Sequence, residues 1–205
     1  TSITIKDIQT NVSLKSLIKD QFSIDYLQFE TTKIKLNNIV TLARVFENSP
    51  QLYVLGTIIK DGFINANVRL NFDEKGKIKQ DYKIDGSITE AKLNVLNKLK
   101  FKNLNFNFDI EQNIYSLKQI DMNLNNIKIS SPLIEVKKKK NLFFVEGQFL
   151  NKKKNFDIEE LRPIFANLSD NIDIQKIEFS SKNEFSFNIS KNLKFDNFKV
   201  MSIVD

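Results

Sequence analysis

The chain has 205 residues, 31 Lys and Arg against 25 Asp and Glu, a net charge of +6, and length enough for one sizeable core. It has no His and no Cys, which removes the commonest general base, the triad base, the commonest zinc ligand, every thiolate site and every disulfide. Eighteen Phe argue against a disordered chain, and no apolar run approaches the ~18 residues of a membrane helix.

In chain order, SLKSLIKD (13–20) predicts a short helix, and FSIDYLQF and TKIKLNN predict strands. IVTLARVFE (39–47) predicts a second helix with Ile39, Leu42, Ala43 and Phe46 on one face. The period then changes to two. Over 58–72, Ile64, Ala66, Val68, Leu70 and Phe72 alternate with Asn65, Asn67, Arg69 and Asn71, with Phe63 the exception. DEKGK follows as a hairpin loop in which Gly76 suits a positive φ. The return strand KIKQDYKIDGSI sets Ile78, Tyr82, Ile84 and Ile88 against Lys77, Lys79, Asp81, Lys83 and Asp85. Leu104, Phe106, Phe108 and Ile110 then alternate with Asn105, Asn107, Asp109 and Glu111 without a slip. Strands are predicted over 101–111, 114–124, 126–130, 133–138, 142–150, 172–179, 184–190 and 193–200. FDIEELRPIFANL (156–168) predicts a third helix, capped by Asp157 with Glu159 and Glu160 in its first turn. A D-G-x-I order recurs from Lys60 and Ile84, with an echo at Val145. Reused hairpin physics and true repetition both account for it.

The basic balance invites a nucleic-acid partner. Arg, the better reader of phosphates and base edges, appears only at 44, 69 and 162. The excess is Lys, in a chain equally crowded with Asn and Ile, all three with AT-rich codons; no nucleic acid is expected. Lys137–Lys140 and Lys152–Lys154 flank NLFFVEGQFLN, which if extended separates them by ~35 Å at roughly 3.3 Å per residue. They read as solvated strand ends, with an anionic membrane or headgroup contact as the second reading. Ser16 and Lys19 form S-x-x-K and Ser169-Asp170-Asn171 reads S-D-N, as in penicillin-binding enzymes. The K-T-G element is missing, and Lys60-Asp61-Gly62 has the wrong middle residue and the wrong chain order. There is no phosphate loop, dinucleotide fingerprint or Ca²⁺ loop. The expectation is a protein without catalysis, metal or cofactor.

Long one-sided strands outnumber the helices available to cover them, and each aromatic has ~150 to 250 Å² to bury. The sheet could fold into a sandwich, close around a helix, or curl into a trough holding an apolar ligand. An outer-membrane barrel would want aromatic girdles, and the chain has no Trp and four Tyr.

The stretch SLKSLIKDQFSIDYLQFETTKIKLNNIVTLAR, with the F-D-E-K-G-K-I and I-D-G-x-I hairpins, resembles the AsmA-like family over most of residues 10–150. The resemblance implies a Gram-negative envelope protein with its body in the periplasm, attached to the inner membrane by a helix not present in this chain. The implied fold is mainly β with a few short helices (α+β): a long, twisted antiparallel sheet curled into an open apolar trough. Residues 1–205 would form one elongated β-rich segment of a longer protein, with helix–strand–strand–helix over 1–50, long antiparallel strands over 51–150, and a helix plus terminal strands over 151–205. The implied activity is movement of phospholipid between inner and outer membranes, much as chorein-type bridge proteins do in eukaryotes. Acyl chains would lie against Ile64, Ala66, Val68, Leu70, Phe72, Ile78, Tyr82, Ile84, Ile88, Leu104, Phe106, Phe108 and Ile110. The expected partners are a phospholipid or other acyl-chain lipid, the membrane through the anchor, and other envelope proteins. A structural or adhesive β-sandwich of a surface protein, with a closed core, is the alternative.

Overall fold

Strand follows strand through most of the chain. The computed structural model describes residues 4–12, 24–46, 49–95, 99–125, 127–161, 175–190, 192 and 194–205. The helix predicted over 13–20, the S-x-x-K and S-D-N motifs and most of the third predicted helix lie outside these residues. The elements run β1 (Ile5–Val12), β2 (Ile24–Thr31), β3 (Ile34–Lys35), α1 (Leu36–Phe46), α2 (Pro50–Ile58), β4 (Ile59–Asn71), β5 (Lys83–Val95) and β6 (Leu99–Glu111). They continue with β7 (Ile114–Leu124), β8 (Ile127–Lys139), β9 (Leu142–Asp157), α3 (Ile158–Leu161), β10 (Lys176–Ser190) and β11 (Phe195–Val204).

The strands make one open sheet in the order β1-β2-β4-β5-β6-β7-β8-β9-β10-β11, with β3 pairing beside β4. Every pairing is antiparallel. From β4 onward each strand therefore bonds the one before it and the one after it in the chain. No helix among the described residues is long and apolar enough to cross a membrane.

Several boundaries differ from the sequence reading. The strand expected over TKIKLNN is the two-residue β3, after which α1 starts at Leu36. Leu36 and Val40 are its inward contacts, while Leu42, expected on the buried face, is 39% exposed. Helix α2 occupies 50–58, where strands were expected from 51. Ser49 caps it by accepting a hydrogen bond from the Leu52 N–H at 3.4 Å, and Pro50 stands in its first turn, where a missing N–H costs nothing. Strand β5 begins at Lys83 because residues 73–82 go to the turn. There Asp73 Oδ1 accepts the Lys75 and Lys77 N–H groups, both at 2.9 Å, and Gly76 takes the expected positive φ, 73°.

The Lys77 N–H, and less strongly the Lys75 N–H, hold the Asp73 carboxyl below the ordinary carboxylate range. A depressed folded pKa contributes stability above the unfolded value of about 3.9, lost as pH falls through the still lower folded value. Acidification below about pH 4 should loosen this hairpin, as Asp73→Ala should at neutral pH. Amide exchange at Lys77 reads both effects.

The strands are long because they tolerate interruptions. Relative to its neighbours, each of β5, β6, β7, β8 and β9 carries an extra residue. Glu90, Asn103 and Gln119, at φ of 56°, 50° and 53°, mark the bulges in β5, β6 and β7. In β8 the irregularity spans Ser130 to Ile134, where Pro132 is tolerated because a bulge spares the ladder bond it cannot donate. This makes one strand of the predicted 126–130 and 133–138 pair. Polar side chains complete the bulged backbone: Asn105 Oδ1 accepts the Glu90 N–H at 2.9 Å, and Asn107 Nδ2 donates to Gln119 Oε1 at 2.8 Å.

Candidate functional site

Register decides which side chains share a face. Ile64 pairs with Ile88 and Ile88 with Phe106. Two rows on, Val68, Ile84, Ile110, Tyr115, Val136, Val145 and Phe187 form one continuous line across seven strands. The two stretches whose alternation was clearest, Ile64 to Leu70 and Leu104 to Ile110, therefore point to the same side.

The opposite face is wet and paired. Lys92 meets Asp61 at 3.2 Å, Lys118 meets Asp109 at 2.7 Å, Lys128 meets Asp121 at 3.4 Å, and Lys153 meets Glu178 at 3.6 Å. Lys137 sits between Glu146 at 2.6 Å and Glu135 at 3.2 Å, and these carboxylates raise its pKa. Such exposed pairs contribute little each; they fix which face is solvated.

The apolar face divides into two parts. At the end where β4 starts and β5 finishes, Leu36, Ile59, Ala91, Leu104, Ile120 and Met122 form a buried core, with Val40 of α1 packed against it. The close approach of β4 to β5 requires glycine here: a Cβ at Gly62, whose φ is 125°, would lie 2.6 Å from Ala91 Cα. A second small core joins Ile127, Phe156 and Leu161, with the Phe179 ring tilted against Phe156 at 4.9 Å between centroids. Helices α1 and α2 pack on β3, β4 and β5, and α3 on β9. The rest of the face, towards the β4–β5, β6–β7 and β8–β9 turns, has no second sheet over it among the described residues. Phe108 and Val145 are nevertheless only 7% and 6% exposed.

Of the thirteen residues singled out, Ile64, Ala66, Val68, Leu70, Ile84, Ile88, Leu104, Phe106, Phe108 and Ile110 lie within β4, β5 and β6 on this face. Phe72 and Ile78 pair in an isolated bridge beyond the end of β4, and Ile78 is largely exposed. Tyr82 precedes β5 and spends its hydroxyl on the Gln112 carbonyl at 2.9 Å. These three belong to the overhanging hairpin.

Sequence reading assigned nothing to the face beyond β6. There Phe149 stacks on Phe185 at 4.9 Å, Phe185 lies 5.9 Å from Phe187, and Phe187 touches both Phe195 and Phe198. The period-two placement of Phe185 and Phe187 was the available signal. Phe195, Phe198, Val200 and Val204 on the edge strand are each more than half exposed.

Gly86 keeps the middle of the face low. A Cβ there would collide with the Asn65 carbonyl oxygen and lie 2.9 Å from the Phe108 ring. Gly86→Ala should therefore cost about 1–3 kcal/mol, as overpacking does, and lower the melting temperature accordingly.

No family model matches the chain, and no curated protein or solved structure shows significant similarity to it.

Proposed function

We propose that this chain is a non-catalytic lipid-binding segment that lets acyl chains lie along the apolar face of its sheet. One observation carries the reading: an apolar row runs unbroken from β4 to β10 and meets Phe195 and Phe198 of β11, and among the described residues helices cover only part of this face. At roughly 25 cal/mol per Å², exposing such a surface to water is costly, and large apolar patches on soluble domains usually mark binding sites. The row of bulges supports a curved sheet, because each extra residue bends its strand and increases local twist. The burial of Phe108 and Val145, with no second sheet over them among the described residues, supports the apolar side as the concave one.

The finer expectations belong to the same proposal: a trough in an AsmA-like envelope protein, facing the periplasm and conducting phospholipid between membranes. A closed adhesive sandwich needs a second sheet facing the first, and the described residues supply one sheet. The test is direct. Protein purified from a bacterial host should carry stoichiometric lipid in native mass spectrometry and after organic extraction. Lipid-free protein that also takes up none from vesicles would overturn the proposal.

A further inference from the structure

We propose that the ligand of this face is an acyl lipid with an anionic, phosphate-bearing headgroup, received by Lys138 at one end of the face and Lys154 at the other. The inference rests on the lipid-binding reading and adds the headgroup class.

Alternation sorts each lysine tract into two populations. Lys137 faces the wet side, where Glu135 and Glu146 neutralise it. Lys138, its neighbour, continues the apolar row of Ile134 and Val136 and stands opposite Phe143. Across the β9 bulge the same split recurs. Lys153 pairs with Glu178 on the wet face, while Lys154 stands opposite Phe179 on the apolar face, its ammonium 5.6 Å from the Phe156 ring centroid. Among the described residues of β4 to β11, the register puts no Asp or Glu on the apolar face. Lys138 and Lys154 are its charges, and among the described residues neither has a carboxylate within ion-pair distance.

A lysine suits this position because its methylene stem lies along apolar surface while the ammonium reaches the rim. With low-dielectric surface on one side, its attraction for an anion is weakened less than in bulk water. Phe143, the partner of Lys138, and Lys154 sit on one strand about 35 Å apart at ~3.3 Å per residue. An anionic headgroup thus meets an unneutralised cation at either end, and its acyl chains meet only uncharged side chains between.

The experiment loads the whole chain from phosphatidylglycerol or phosphatidylcholine vesicles at physiological salt, re-isolates it and measures bound lipid. The wild type should prefer phosphatidylglycerol. Each of Lys138→Glu and Lys154→Glu should lower that loading about fivefold with phosphatidylcholine loading unchanged. Lys139→Glu makes the same charge change on the wet face and should have little effect. Equal loading of both lipids by wild type and variants would overturn the headgroup assignment while leaving lipid binding intact. Equal losses in Lys139→Glu would also overturn it, by reducing the preference to general vesicle attraction. Suppression by free glycerol phosphate without displacement of acyl chains would assign the lysines to soluble phosphate instead. Loading of neither lipid would overturn the proposed function itself.

Discussion

Ile110→Asp should leave the sheet standing and strip it of lipid. Ile110 is half-buried in the row that runs from Val68 to Phe187, towards the turn end of the strands and away from the core under α1. In an open groove, water reaches the carboxylate once lipid leaves. The structural loss is then the partial burial of one aliphatic side chain, about 1 kcal/mol. For the lipid the cost is much larger, because an acyl chain crossing that row would desolvate a charge it cannot pair. Val68→Asp, in the same row, should behave alike. Asn123→Asp is the control: it lies on the wet face, opposite Lys102 on one side and Lys128 on the other. Thermal unfolding and co-purifying lipid are the two readouts. Unfolding of Ile110→Asp beside an intact control would show a sealed core at this row, and a folded variant that keeps its lipid would take Ile110 off the path.

Ala91→Asp should have the opposite signature. Ala91 is 1% exposed, beneath Leu36 and against Gly62, where β4 and β5 come closest. An aspartate there finds neither space nor a partner, and a buried unpaired charge destabilises by several kcal/mol. Amide protection in β4, β5, β6 and α1 should collapse, and lipid should go with it. Ala91→Ser separates volume from charge, and should retain the fold with a smaller loss. An Ala91→Asp protein that melts like the wild type would show that the helices do not seal this end.

Much of the sheet was legible because a half-buried strand writes its orientation into every second residue. Strand β7 occupies the predicted 114–124, and the Leu104–Ile110 alternation lies inside β6. The bulges were written in the same code but harder to read. The apolar series steps by three instead of two at Ile88 to Ala91, Phe101 to Leu104 and Leu117 to Ile120. One such step resembles noise; its recurrence on neighbouring strands is the signal, visible only once pairing is known. Lys152–Lys154 were read as a strand end because lysine is depleted in strands, yet β9 runs through them to Asp157. Helix α2 was missed although Ser49-Pro50 is a helix-start signal, because the short apolar run after it suits strand or helix equally. Strand β1 pairs only with β2 and is largely exposed, so its alternation is weak. As for the site, its β4–β6 portion was readable, and the Phe149–Phe185–Phe187 portion depended on contacts between strands that sequence does not display.

Among the described residues, every strand from β5 to β10 pairs only with its immediate predecessor and successor. Stability in such an array accumulates link by link, much as in a one-dimensional chain of coupled units, and not through a single centre that all elements share. Damage then has an address. Removing β11 should erode β10 and leave β4 to β7 close to their original protection. Melting should proceed as a zipper opening from the weaker margin, so that calorimetric and spectroscopic transitions need not coincide. Lengthening such an array by further hairpins would extend its apolar surface without redesigning any strand already in place.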